Sequence, residues 1–166
     1  MSSGESAETG EGAGGFAMGG NMELITVEAG AGCRLPPEIA PASARELQRW
    51  LSSRLGVDVP EQGLIEGHSG PLEYLAHAFF EGRFRRGGEG AWEEIAECER
   101  TSDCVVWANR GGGKTFLGAV ATLLDLMFKK GVQARILAGS LEQSQRMHEH
   151  LRGLLERPGV SRLIDA

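Results

Sequence analysis

Apolar residues recur at helical spacing through the first half of the chain. Leu47, Leu51 and Leu55 lie four residues apart, which predicts a helix with one buried face. Pro71 precedes a second run of this kind and suits the first position of a helix, where its missing N–H costs nothing. The pattern predicts helices at residues 42–55, 71–81 and 91–99, with an arginine-rich loop at 83–90.

After residue 101 the pattern alternates between strand and helix. It predicts strands at 104–107 and 132–138, and helices at 114–130 and 140–156. The order strand, helix, strand, helix favours a right-handed crossover and a parallel sheet. The predicted fold class is therefore α/β, a partial parallel sheet flanked by helices.

Composition divides the chain into three parts. Residues 1–32 hold nine glycines and five acids but no base, which predicts a disordered tail with a possible short strand at 22–28. Residues 33–100 form the helical N-terminal region, and residues 101–166 form the partial α/β core. The tail carries −5 of the net charge of −6, so the rest sums to −1. Bulk charge therefore gives no support for nucleic-acid binding.

The sequence favours a cytoplasmic protein. It contains no run of about 20 apolar residues that could cross a membrane, and its N-terminus lacks a basic start followed by an apolar core. Its three cysteines, Cys33, Cys98 and Cys104, fit no zinc-binding spacing. We expect reduced thiols and no membrane partner.

One motif carries candidate chemistry. Residues 108–115 read A-N-R-G-G-G-K-T, which fits the phosphate-binding pattern A-x-x-G-x-G-K-T between a predicted strand and a predicted helix. Glycines allow successive N–H groups to face phosphate oxygens, Lys114 reaches the β and γ phosphates, and Thr115 places its hydroxyl on Mg²⁺. ATP and Mg²⁺ are the implied cofactors. The alternative is a glycine-rich linker with an incidental lysine. The predicted binding residues are Ala108, Asn109, Arg110, Gly111, Gly112, Gly113, Lys114 and Thr115.

The residues around this motif resemble a known family. Arg110, four residues before Lys114, and the opening Ala108 are similar to the ATPase motif of the large terminase subunits of tailed phages, which belong to the P-loop NTPase superfamily. The segments ILAGSLEQSQRMHEHL and GHSGPLEYLAHAFF look like the family's second strand and helix and its helical approach to the ATPase core. The likeness covers about residues 42–166.

The resemblance implies a fold and a function. The chain would be the ATP-binding N-terminal part of a motor that couples ATP hydrolysis to viral DNA packaging. Its partners would be double-stranded DNA and the portal or small terminase subunit, in the host bacterial cytoplasm. Lys114 would be catalytic, and Arg110 would act on the γ-phosphate as an arginine finger in cis. A solvated surface arginine is the alternative interpretation of Arg110.

The chain also departs from the family. Terminases couple the phosphate loop to a later strand that ends in adjacent acids, and to a nuclease domain with metal-binding acids. This sequence has neither, so it leaves open whether ATP is hydrolysed. The alternatives are a fragment of a superfamily 2 helicase-like ATPase, which usually carries Thr where Arg110 stands, or an inactive truncated P-loop remnant. A small-molecule kinase would need lid arginines and an acceptor site, and neither is recognisable.

Overall fold

The computed structural model describes residues 25–28, 40–88 and 90–164. The predicted tail lies outside these residues except for one strand. The elements are β1 (Ile25–Glu28), α1 (Ala44–Trp50), α2 (Pro71–Phe79), β2 (Phe84–Arg86), β3 (Trp92–Glu94), α3 (Lys114–Phe128), β4 (Gln133–Ile136), α4 (Leu141–Leu155) and α5 (Pro158–Ile164). A π-helical turn, Leu51–Leu55, continues α1, and a 3-10 turn, Glu97–Glu99, follows β3.

The helices begin and end at residues whose side chains or backbone suit those positions. Ser43 caps α1, since its hydroxyl accepts a hydrogen bond from the Glu46 N–H, and the Glu46 carboxylate accepts one from Ala42 N at 2.8 Å. This arrangement resembles a capping box, although the Glu46 carboxylate accepts from the residue before the cap and not from the Ser43 N–H. Gly56 ends the π-helical turn in the left-handed conformation, at φ 59°. Ser140 caps α4 through the Gln143 N–H.

One hydrophobic core joins the helices, with α3 at its centre. Phe128 at the end of α3 makes edge-to-face contacts with Trp50 and with Phe79, at ring-centre distances of 5.4 and 5.6 Å. None of the helices in the described residues is long and apolar enough to cross a bilayer. The fully buried leucines of the core are Leu47, Leu51, Leu72, Leu75, Leu123, Leu124, Leu151 and Leu154.

The predicted α/β fold class, with its parallel sheet, is wrong. β4 pairs with β1 in the antiparallel sense, from Ile25 opposite Ile136 to Glu28 opposite Gln133. The predicted strand at 104–107 does not form, and its Val105 and Trp107 side chains are 92% and 95% exposed. A short apolar run becomes a buried strand only where strands lie beside it, and no described strand pairs with this one.

A hairpin replaces the predicted helix at 91–99 and the predicted loop before it. β2 and β3 pair antiparallel, and opposite charges face each other across the pair: Arg83 meets Glu94 at 2.8 Å, and Arg85 meets Glu93 at 3.4 Å. Such cross-strand pairs stabilise a hairpin whose apolar content is low. A second difference is α5, since Pro158, predicted to close the preceding helix, instead begins a new one.

A polar cluster ties the end of α2 to the end of α3. The Lys129 ammonium lies 2.8 Å from the Asp125 carboxylate, 3.1 Å from that of Glu81 and 3.3 Å from the Ala78 carbonyl oxygen. Burial raises the pKa of Asp125, and the opposing effect of Lys129 does not reverse this. Burial alone would lower the pKa of Lys129, but its two carboxylate partners outweigh it and the pKa is raised.

We predict that Asp125→Asn leaves the protein equally stable or more stable at neutral pH. Because the native pKa of Asp125 lies above its ordinary value of 3.8, the native state holds this proton more tightly than the unfolded chain. The contribution of Asp125 to stability is therefore fully present below that ordinary value and is lost as pH rises through the raised native pKa. Thermal unfolding from pH 4 to 8 should show a flatter profile for the variant. A loss of more than about 2 kcal/mol at pH 7 would instead show that the ion pair outweighs the burial cost.

Candidate functional site

The glycine-rich segment folds as a tight loop that leads directly into α3. Gly111 and Gly113 adopt left-handed backbone conformations, at φ 84° and 73°, which glycine tolerates without strain. The Gly112 N–H donates to the Asn109 carbonyl at 3.2 Å and closes the turn. The loop and helix predicted from the motif therefore form, although the strand expected before them does not.

Lys114 is the first residue of α3, and its side chain curls back over the loop. Its ammonium donates to the carbonyl oxygens of Ala108 at 2.6 Å and Asn109 at 2.7 Å. Both partners are neutral, and within the described part of the chain no carboxylate forms an ion pair with Lys114. The lysine charge therefore remains available to an anion in the loop.

The start of α3 is also open to an anion. Residues 101–115 are all exposed, and Gly113, at the cap position, has no side chain that could satisfy the first N–H groups. Among the described residues, no backbone carbonyl accepts from the N–H of Lys114, Thr115 or Phe116. Free N–H groups and the positive end of the helix dipole together favour a phosphate at this point.

Thr115 fits the metal role that its position suggests. Its side chain is exposed in the first turn of α3, and its hydroxyl makes no hydrogen bond with a described residue. The hydroxyl of Thr122, further along α3, by contrast donates to the Gly118 carbonyl oxygen at 2.9 Å. Mg²⁺ prefers oxygen ligands and usually retains waters and phosphate oxygens, so a single free hydroxyl beside a phosphate loop suits it.

Arg110 lies at the exposed turn of the loop. It forms no ion pair or hydrogen bond with the described residues, whereas Arg83, Arg86 and Arg100 are all held by acids or carbonyls. The guanidinium is thus free to move onto a bound anion. This geometry is compatible with a finger acting in cis and equally with a solvated arginine.

A groove of about 530 Å³ runs beside the loop. The Nε2 of His77, on α2, lies 3.3 Å from the Asp103 carbonyl oxygen and links the two walls. Burial raises the pKa of Tyr74, and the charges of Cys104 and Asp125 act in the same direction. One wall consists of residues 104–108 with Gly112, Lys114 and Leu117, and the other of residues 67–71 with Glu73, Tyr74 and His77.

The α2 wall of this groove was not predicted from the sequence. The turn Gly67–Pro71 was recognisable as a helix start, but no sequence signal places it opposite a loop some 40 residues later. Elsewhere, Cys98 and Cys104 are free and exposed thiols. Within the described residues, no group of three His, Cys, Asp or Glu side chains could hold a metal ion.

Comparison with known protein families, characterised proteins and solved structures finds no match to this chain. The resemblance to terminases therefore depends on residues 108–115 and the two flanking segments alone. The conformation of the loop is a separate observation, because it does not depend on any resemblance to a family.

Proposed function

We propose that this chain binds ATP with Mg²⁺ at the loop formed by residues 108–115. The observation that supports this most strongly is the combination of a turn with two left-handed glycines and a lysine at the first position of α3. Phosphate groups are recognised by backbone N–H groups, by a helix N-terminus and by a basic side chain. The loop, the start of α3 and Lys114 provide these three features.

Each residue has a defined role in this proposal. Lys114 exchanges its two carbonyl partners for oxygens of the β and γ phosphates, while the N–H groups of Gly111–Gly113 surround the phosphates. Thr115 holds Mg²⁺ together with phosphate oxygens, and the metal neutralises phosphate charge when bound. Arg110 acts on the γ-phosphate. The groove provides room for the rest of the nucleotide.

We further infer that the chain is the ATP-binding part of a phage-type terminase large subunit. What supports this is the Arg110–Lys114 spacing with Ala108 at the start of the motif. In that setting ATP hydrolysis drives packaging of double-stranded DNA, with the portal and small subunit as partners in the host cytoplasm. The exposure of Val105 and Trp107 favours one second candidate, an inactive remnant, because no strand of the described residues pairs with the segment before the loop.

Thermal unfolding with and without Mg·ATP tests the proposal. A ligand that binds only the native state stabilises it by RT ln(1 + [L]/Kd), or about 2.7 kcal/mol at a hundredfold excess over Kd. For a chain of this size we expect the Tm to rise by about 5–10 °C.

AMP serves as the matched control ligand in the same measurement. It carries the same base and sugar but lacks the β and γ phosphates that Lys114 contacts, so its shift should be much smaller. If millimolar Mg·ATP leaves the Tm unchanged, the chain is an inactive remnant and the proposed function is wrong.

A further inference from the structure

Glu73 is the only carboxylate among the described residues that line the groove. It lies in the first turn of α2, is half-buried and lines the same groove as Lys114. Several other acids are paired with basic side chains, whereas the Glu73 carboxylate, like that of the exposed Glu66, forms no ion pair or hydrogen bond with the described residues. The paired acids of α2, the segment before it and the hairpin include Glu61 with Arg86, Glu81 with Lys129, Glu93 with Arg85, and Glu94 with Arg83.

We propose that Glu73 orients the water that attacks the γ-phosphate of ATP bound at the loop. This inference rests on the proposed function. In that function Lys114 holds the terminal phosphates, and Glu73, on α2, lines the same groove. An unpaired, partly desolvated carboxylate next to a phosphate site is the kind of group that can accept a proton from water.

The reaction is a balanced hydrolysis. The oxygen of water forms a bond to the γ-phosphorus, and the bond from that phosphorus to the bridging β–γ oxygen breaks. Glu73 takes one proton from the water and later returns it to solvent, while Lys114 stabilises the charge that develops on ADP. The products are ADP and inorganic phosphate.

His77 connects this wall of the groove to the segment that precedes the loop. It lies one helical turn after Glu73 on the same wall, and its contact with the Asp103 carbonyl oxygen holds α2 against the segment that precedes the loop. A purely structural role for Glu73 also exists, because an acid in the first turn of a helix is favoured by the helix dipole. The experiment must separate these two roles.

Single-turnover hydrolysis of Mg·ATP by the full chain separates them. We expect Glu73→Gln to lower the hydrolysis rate at least tenfold while the affinity for Mg·ATP stays within about twofold, since positioned general bases contribute about a hundredfold or more. Glu66→Gln is the matched control, because Glu66 is exposed and does not line this groove. It should hydrolyse ATP at the wild-type rate.

Glu73→Asp keeps an acid in the first turn of α2 but withdraws the carboxylate by one methylene. This variant should also bind Mg·ATP normally and hydrolyse it slowly, so the test survives if Glu73→Gln fails to fold. Wild-type hydrolysis by both Glu73 variants would overturn the proposal. So would a wild-type protein that binds Mg·ATP yet turns it over no faster than Lys114→Ala. Absence of Mg·ATP binding by the wild type would instead refute the proposed function itself.

Discussion

Lys114→Ala should weaken binding of Mg·ATP at least a hundredfold. Hydrogen bonds to charged groups contribute about 1.5–3 kcal/mol each, and Lys114 is placed to make them with two phosphates. Folding should be unaffected, because Lys114 is exposed and its described partners are two carbonyls of its own loop. Without nucleotide, the Tm of the variant should therefore stay within about 2 °C of the wild type.

Calorimetric titration with Mg·ATP measures this effect. Lys130→Ala is the matched control, because it removes the same charge from an exposed lysine just beyond the opposite end of α3. That variant should bind Mg·ATP as the wild type does. If Lys114→Ala and Lys130→Ala bind Mg·ATP with equal affinity, residues 108–115 are only a glycine-rich linker with an incidental lysine. The proposed nucleotide site is then wrong.

Among the described residues, α1, α2, α3 and α4 were predictable because their signals are local, whereas the helix predicted at 91–99 does not form and α5 was not predicted. The spacing of Leu47, Leu51 and Leu55 and the proline at residue 71 define α1 and α2 without reference to the rest of the chain. Ser140 and Gln143 likewise define the start of α4. Helix boundaries depend on caps within a few residues, so the sequence contains most of the information that fixes them.

The sheet was not predictable because a strand depends on its partner. The apolar run that predicts a strand at 104–107 is the same run that stands exposed in the structure. β4 was located correctly, but its partner β1 lies more than 100 residues away and runs antiparallel. Apolar periodicity identifies a segment that can be buried; it does not identify which strand will pair with it.

One part of the candidate site was predictable from the local sequence, and the other part was not. The loop at 108–115 forms with the predicted turn, since glycine at Gly111 and Gly113 permits the left-handed backbone that the turn needs without strain. The opposite wall of the groove, with Glu73 and His77, depends on how α2 packs against α3. Such packing is a tertiary property, which explains why the proposed water-orienting carboxylate carries no sequence motif.

Leu123→Ala tests whether the helical core, rather than any sheet, holds the fold together. Leu123 is 0% exposed in the middle of α3, the helix that Lys114 begins. Truncation removes buried methyl and methylene groups and leaves a cavity, at a cost of about 2–5 kcal/mol. With a cost near the middle of that range, the Tm should fall by about 6–12 °C.

Leu137→Ala makes the same chemical change at a position that is 61% exposed, just after β4. Its Tm should change by less than about 2 °C, since little apolar surface is lost from the interior. Below its unfolding temperature, Leu123→Ala should still bind Mg·ATP, because the loop's own turn and glycines set its geometry. An unchanged Tm for Leu123→Ala would show that the packing of α3 does not stabilise the protein, whereas equal destabilisation by the two variants would show that Leu137 is buried against another part of the molecule.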